Sequence, residues 1–129
     1  MLQSEHTWLA TPEHVGAARH EMAAFAARAG ASAPVLDGVR LAVSEAVTNV
    51  VLHGYRGEPA GPVTVRAEAA DRCLTVLVCD QGCGPKSRAD SPGAGLGLPL
   101  IAGVTDSLSV APGCNGRGTR VRMTFGLPA

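Results

Sequence analysis

Between Pro34 and Gly54 apolar residues recur with the period of one helix face: Val35, Val39, Ala42, Val43, Ala46, Val47 and Val50. A stripe of this width is stable in water only when another layer covers it. Several of its members are β-branched, so local helix propensity contributes little and packing must hold the segment together. The period predicts a helix from about Pro34 to His53, stopped by Gly54. The rest of the chain has to supply the cover.

It supplies both a second helix and a sheet. Residues 4–10 read as a short edge strand. Thr11, Pro12 and Glu13 form a helix start, and Val15, Ala18, Met22, Phe25 and Ala29 then follow at steps of three and four up to Gly30. Val63, Val65 and Ala67 alternate with Thr64, Arg66 and Glu68, the pattern of a half-buried strand. Leu74 to Cys79 is nearly all apolar and suits a central strand. A third helix is expected from about Gly95 or Gly97 to Gly103, with strands at Ser107–Ala111 and Thr119–Phe125 joined by a glycine-rich turn. The order strand, helix, helix, strand, strand, helix, strand, strand predicts an α/β two-layer sandwich: a mixed sheet with about three helices on one face. With 129 residues the chain is expected to form a single domain over 1–129, long enough to bury roughly two-thirds of its unfolded surface.

Composition removes several function classes. Eleven Lys and Arg balance eleven Asp and Glu, so neither a basic nucleic-acid face nor a polybasic membrane anchor is expected. Aromatics are only 3% of the chain, too few for a base-stacking platform. Arg117, Arg120 and Arg122 lie in a stretch, 107–129, that has no acid. No run approaches the roughly 18 apolar residues of a membrane helix. Glu5 and His6 stand where a signal peptide would begin its apolar core. The expected compartment is the cytoplasm, with Cys73, Cys79, Cys83 and Cys114 as reduced thiols. The spacing of Cys79 and Cys83, with no histidine close by, does not build a zinc shell.

Three clusters carry chemistry. Glu45, Asn49 and His53 sit at i, i+4 and i+8 of the second helix, near one face. They form either a solvated outer stripe or the wall of a polar site, in which Glu45 serves as general base and the Asn49 carbonyl oxygen meets a hard cation such as Mg²⁺. Asp80-Gln81-Gly82-Cys83-Gly84 follows the central strand directly. By itself it is a plain turn, or a carboxylate placed for a ligand's amino group beside glycines that admit a flat ring. Gly93-Ala94-Gly95-Leu96-Gly97 leads into the third helix, where backbone N–H groups suit phosphate. It fits neither the Walker nor the dinucleotide pattern.

Taken together, the order and placement of these clusters resemble the GHKL, or Bergerat-fold, ATPases, which include gyrase, heat-shock-90 chaperones, histidine kinases and MutL. Glu45-Ala-Val-Thr-Asn49 resembles the N box, Asp80-Gln-Gly82-Cys-Gly84 the G1 box, Gly93-Ala-Gly95-Leu96-Gly97 the G2 box, and Gly118-Thr119 the final glycine–threonine element. The segment from Leu41 to Tyr55 is similar to one branch, the bacterial anti-sigma factors that are serine/threonine kinases. The resemblance implies ATP and ADP as nucleotides and Mg²⁺ as metal. It implies Glu45 as catalytic base, Asn49 as Mg²⁺ ligand and His53 in support. Asp80 would receive the adenine amino group, helped by Thr119 through water, with Gly82 and Gly84 beside the base. Gly93, Gly95, Leu96 and Gly97 would line the phosphates. It further implies a STAS-type anti-anti-sigma partner that accepts the phosphoryl group, a sigma factor as competing partner, and a homodimer. One departure stands out: only Pro85 to Pro92 separates Gly84 from the G2 glycines, where family lids are usually longer. A short lid favours the alternative of an ATP-binding interaction protein with weak transfer. Within it, Lys86 and Arg88 either reach the phosphates or remain solvated loop charges.

Overall fold

The computed structural model describes residues 1–84, 98–113 and 116–128. Strand β1 (Leu2–Leu9) leads through a 3₁₀ turn (Pro12–His14) into helix α1 (Val15–Arg28) and then α2 (Ala33–Asn49). Strands β2 (Pro62–Ala70) and β3 (Cys73–Asp80) follow, then α3 (Leu98–Val104), β4 (Ser107–Pro112) and β5 (Thr119–Gly126). The strands form one sheet in the order β1-β2-β3-β5-β4.

The expected sequence of elements holds, but the sheet is not mixed. Each of its four neighbouring pairs is antiparallel. The connection from β3 through α3 to β4 makes those two strands run the same way, as in a parallel pair. Strand β5 then enters between them and is antiparallel to both. The apolar run of Leu74 to Cys79 occupies the middle position, as its composition requires.

The helices cover one face. Val63, Val65, Leu74, Val76, Val78, Val121, Met123 and Phe125 point beneath them and are almost wholly buried. Met22 and Phe25 of α1, Val39, Val43 and Val47 of α2, and Ile101 of α3 complete the core. Gly38 sits inside α2, where a side chain would come within 3.2 Å of the Val104 carbonyl. That close approach seats α3 against α2. On β1, His6 stacks on Trp8 and reaches Glu21 of α1 at 3.5 Å.

The helix boundaries differ from the periodic reading in two places. Thr11 does not cap a helix through its side chain, which meets the His14 ring at 3.0 Å, and a 3₁₀ turn intervenes before Val15. The α-helical part of α2 stops at Asn49 and continues as a π-helical turn, Val50–Gly54. Hydrophobic period alone cannot show this, because it records which residues face the core and not which carbonyl each N–H finds. The helix ends are otherwise as their sequence suggests. Ser32 caps α2, and Gly30 closes α1 at φ +89, while Ala31 N–H donates to the Ala26 carbonyl.

The β2–β3 hairpin turns through two residues, Asp71 and Arg72, both with positive φ (53° and 61°). Twist favours such a turn, but only glycine takes that conformation without steric cost. Arg72→Gly is therefore expected to stabilise the protein by about 1 kcal/mol. A rise in the urea midpoint at constant slope would confirm it, and a fall would contradict it.

Candidate functional site

The register of β3 and β5 places Asp80 directly opposite Thr119 at one end of the sheet, on the face that bears the helices. Both are enclosed: Asp80 is 3% exposed and Thr119 0%. The Asp80 carboxylate accepts from the backbone N–H of Gly82 at 2.9 Å, so the chain turns sharply around the side chain it has just left. The Thr119 hydroxyl is buried and has no hydrogen-bond partner in the structure. A hydroxyl held dry and unpaired is costly. Here it lies beside a buried carboxylate, where a ligand or a bridging water would satisfy it.

The loop after β3 rests on the end of α2. Cys83 N–H donates to the Gly54 carbonyl at 2.7 Å. Gly82 lies so close to Gly54 that a Cβ would fall 1.6 Å from the same carbonyl. From the other side Gly118 approaches the Asp80 carbonyl, which a Cβ there would meet at 1.9 Å. Glycine at 82 and 118 is thus a requirement of backbone contact, and at 118 the φ of +77 adds to it. Gly84, at φ +88, turns against the Gly118 carbonyl.

This docking brings the polar residues of α2 to the same end of the molecule. Asn49 ends the α-helix and is 7% exposed. Glu45 lies one turn earlier and is half-buried, about 6 Å along the axis. His53 falls in the π-helical turn that follows Asn49. It is half-buried there and engaged with its surroundings. Among the described residues no group of three His, Cys, Asp or Glu gathers as a metal shell. A cation at Asn49 would take its remaining oxygens from phosphates and water, the usual arrangement for Mg²⁺. Gly93, Gly95, Leu96 and Gly97, with Lys86 and Arg88, lie outside the described residues.

The sequence reading missed three side chains. Tyr55 accepts from the Gln81 N–H at 2.9 Å and donates to the Pro62 carbonyl. Arg117 donates to the Gln81 carbonyl at 2.7 Å and to Glu58 at 3.0 Å. No short motif signals them, because they engage the main chain of Gln81 and Pro62 and one another rather than neighbours in sequence. The adjacency of Tyr55 to the helix stop was the available hint.

Residues 9–125 match the histidine kinase-like ATPase domain family. The chain belongs to that family. It is 35% identical over 130 residues to an anti-sigma F factor of Clostridium acetobutylicum, covering 92% of this chain and 90% of that protein. It is 40% identical over 73 residues to a serine-protein kinase RsbW of Listeria innocua, covering 57% of this chain and 46% of that one. Among solved structures it is similar to the RsbU and RsbW domains of a Mycobacterium tuberculosis protein, with a TM-score of 0.77 and 24% identity. The match covers 98% of this chain and 32% of that one, and shows a shared fold.

Two outcomes follow from the geometry. Thr119→Val removes the hydroxyl beside Asp80 at nearly constant volume, so the fold is expected to persist while ADP affinity falls. Thermal melts and calorimetry on the same variant would check both, and unchanged ADP binding would count against the site. Burial raises the pKa of the Tyr55 hydroxyl, and the nearby Asp80 and Glu58 charges add to this against the Gln81 N–H and Arg117. The unfolded chain then gives up this proton first, so stability falls as pH rises past about 10. Tyr55→Phe should flatten that alkaline loss in denaturation curves taken between pH 8 and 11.

Proposed function

We propose that this chain is an ATP-dependent anti-sigma factor of the serine/threonine kinase type, formed as one domain over residues 1–129 and acting in the cytoplasm as a homodimer. Its substrates are ATP and a serine or threonine hydroxyl on a STAS-type anti-anti-sigma protein, and a sigma factor is its competing partner. The observation that carries the reading is the enclosed Asp80 carboxylate facing the unpaired Thr119 hydroxyl, at the sheet end where the α2 terminus docks. The similarity to anti-sigma F factors over most of both chains supports the branch.

Asp80 accepts the adenine amino group, and Thr119 backs it through a water. Gly82 and Gly84 leave the flat ring room beside the backbone. Asn49 offers its carboxamide oxygen to Mg²⁺, which supplies charge neutralisation at the phosphates when bound. His53 supports the phosphate end, and Gly93, Gly95, Leu96 and Gly97 line it with backbone N–H groups. Glu45 takes the proton from the attacking hydroxyl. The hydroxyl oxygen bonds to the γ-phosphorus as the bond to the ADP oxygen breaks. Positioning and charge neutralisation supply most of what this transfer needs.

The test is transfer of labelled phosphate from ATP to STAS proteins encoded in the same genome. Glu45→Gln is expected to lose roughly 10²–10⁴-fold in transfer rate while keeping ADP affinity. The product should survive acid and be lost in base, as a phosphoserine or phosphothreonine is. If the same proteins accept phosphate from a related kinase and none from this one, the kinase reading falls and a nucleotide-binding interaction protein replaces it.

A further inference from the structure

Gln81, directly after Asp80, is exposed, yet both of its backbone polar groups are held by side chains from elsewhere in the chain. Its N–H donates to the Tyr55 hydroxyl at 2.9 Å. Its carbonyl accepts from Nε of Arg117 at 2.7 Å. The second terminal nitrogen of that guanidinium donates to Glu58 at 3.0 Å, which fixes the plane of the fork. Arg117 also has a short lever, because the next residue, Gly118, lies against the Asp80 carbonyl.

The two peptides after Asp80 are therefore pinned in turn. The second carries the link to the site. The Gln81 carbonyl and the Gly82 N–H belong to one rigid planar unit and point in opposite directions. Arg117 holds the carbonyl end, and the N–H end donates to Asp80 Oδ1 at 2.9 Å. A cation on the carbonyl also polarises the peptide and strengthens its N–H as a donor. The guanidinium thus acts on the carboxylate through a single peptide plane.

We propose that Arg117 and Tyr55 are positioning residues for base recognition: they clamp the peptides after Asp80 and so fix the direction in which its carboxylate accepts from an adenine amino group. This rests on the reading of Asp80 as the adenine acceptor. An exposed ion pair such as Arg117–Glu58 adds little to stability on its own, so the effect of the clamp falls on selectivity rather than on folding. Lysine has a single ammonium in place of the fork and restores only part of it.

The experiment titrates ADP and inosine diphosphate into the full chain by calorimetry. Inosine carries a carbonyl where adenine carries the amino group. The proteins are the wild type, Asp80→Asn, Tyr55→Phe, Arg117→Gln and Arg117→Lys, each with a thermal melt. The wild type should prefer ADP and Asp80→Asn should lose the preference. Tyr55→Phe and Arg117→Gln should each lower it by about tenfold, with the affinity for inosine diphosphate little changed and Arg117→Lys in between. A merely structural clamp would lower the melting temperature and leave the ratio alone. Wild-type selectivity in both variants, beside its loss in Asp80→Asn, overturns the proposal while leaving Asp80 in its role. A wild type without preference, or an Asp80→Asn that keeps it, overturns the reading of Asp80 and the clamp with it.

Discussion

The contact on which the rest of the site depends is backbone against backbone. The loop after β3 lies on the carbonyl of Gly54, close enough that a single added carbon at Gly82 has no room. Cys83 N–H seals the contact with a hydrogen bond to that carbonyl. The π-helical turn that follows α2 and the end of the central strand meet here, above the core that α2 and β3 already share. A side-chain contact would allow sliding, whereas two peptide groups at hydrogen-bond distance allow almost none. The polar residues of α2 and the carboxylate of β3 therefore share one rigid corner.

A second constraint comes from the sheet. Because β5 enters between β3 and β4, Asp80 gains Thr119 as its cross-strand neighbour. The apolar residues beneath the helices hold this register, since a slip of one position would turn Val121, Met123 and Phe125 out to solvent. The site thus inherits its accuracy from core packing. The same packing encloses the Thr119 hydroxyl beside the Asp80 carboxylate, with no protein group as its hydrogen-bond partner.

Much of this was legible in the residues. The stripe from Val35 to Val50, the alternation at Val63–Ala67 and the apolar run before Asp80 each name an element, because burial imposes a period that side chains record. Asp80 and Gly82 were legible as a pair, since a carboxylate followed by glycine at that place limits what the backbone can do. The antiparallel character of every strand pair was not, because it depends on where β5 inserts and no local pattern encodes that. The π-helical turn was hidden for a related reason: Val50 faces the core in either kind of turn. Tyr55, Glu58 and Arg117 stayed invisible because they act on main-chain atoms of Gln81 and on each other across long stretches of chain.

The position of β5 also sets an order in time. A ribosome delivers β1 through β4 first, and β3 and β4 then have an open slot between them rather than a shared edge. Until β5 arrives, Asp80 has no strand on that side and Thr119 is not yet beside it. The Asp80–Thr119 pair is therefore complete only after nearly all of the described chain has been made. Loss of β5 would take Thr119 from beside Asp80 and leave β4 without its neighbour in the sheet, which ties this corner to the integrity of the whole sheet.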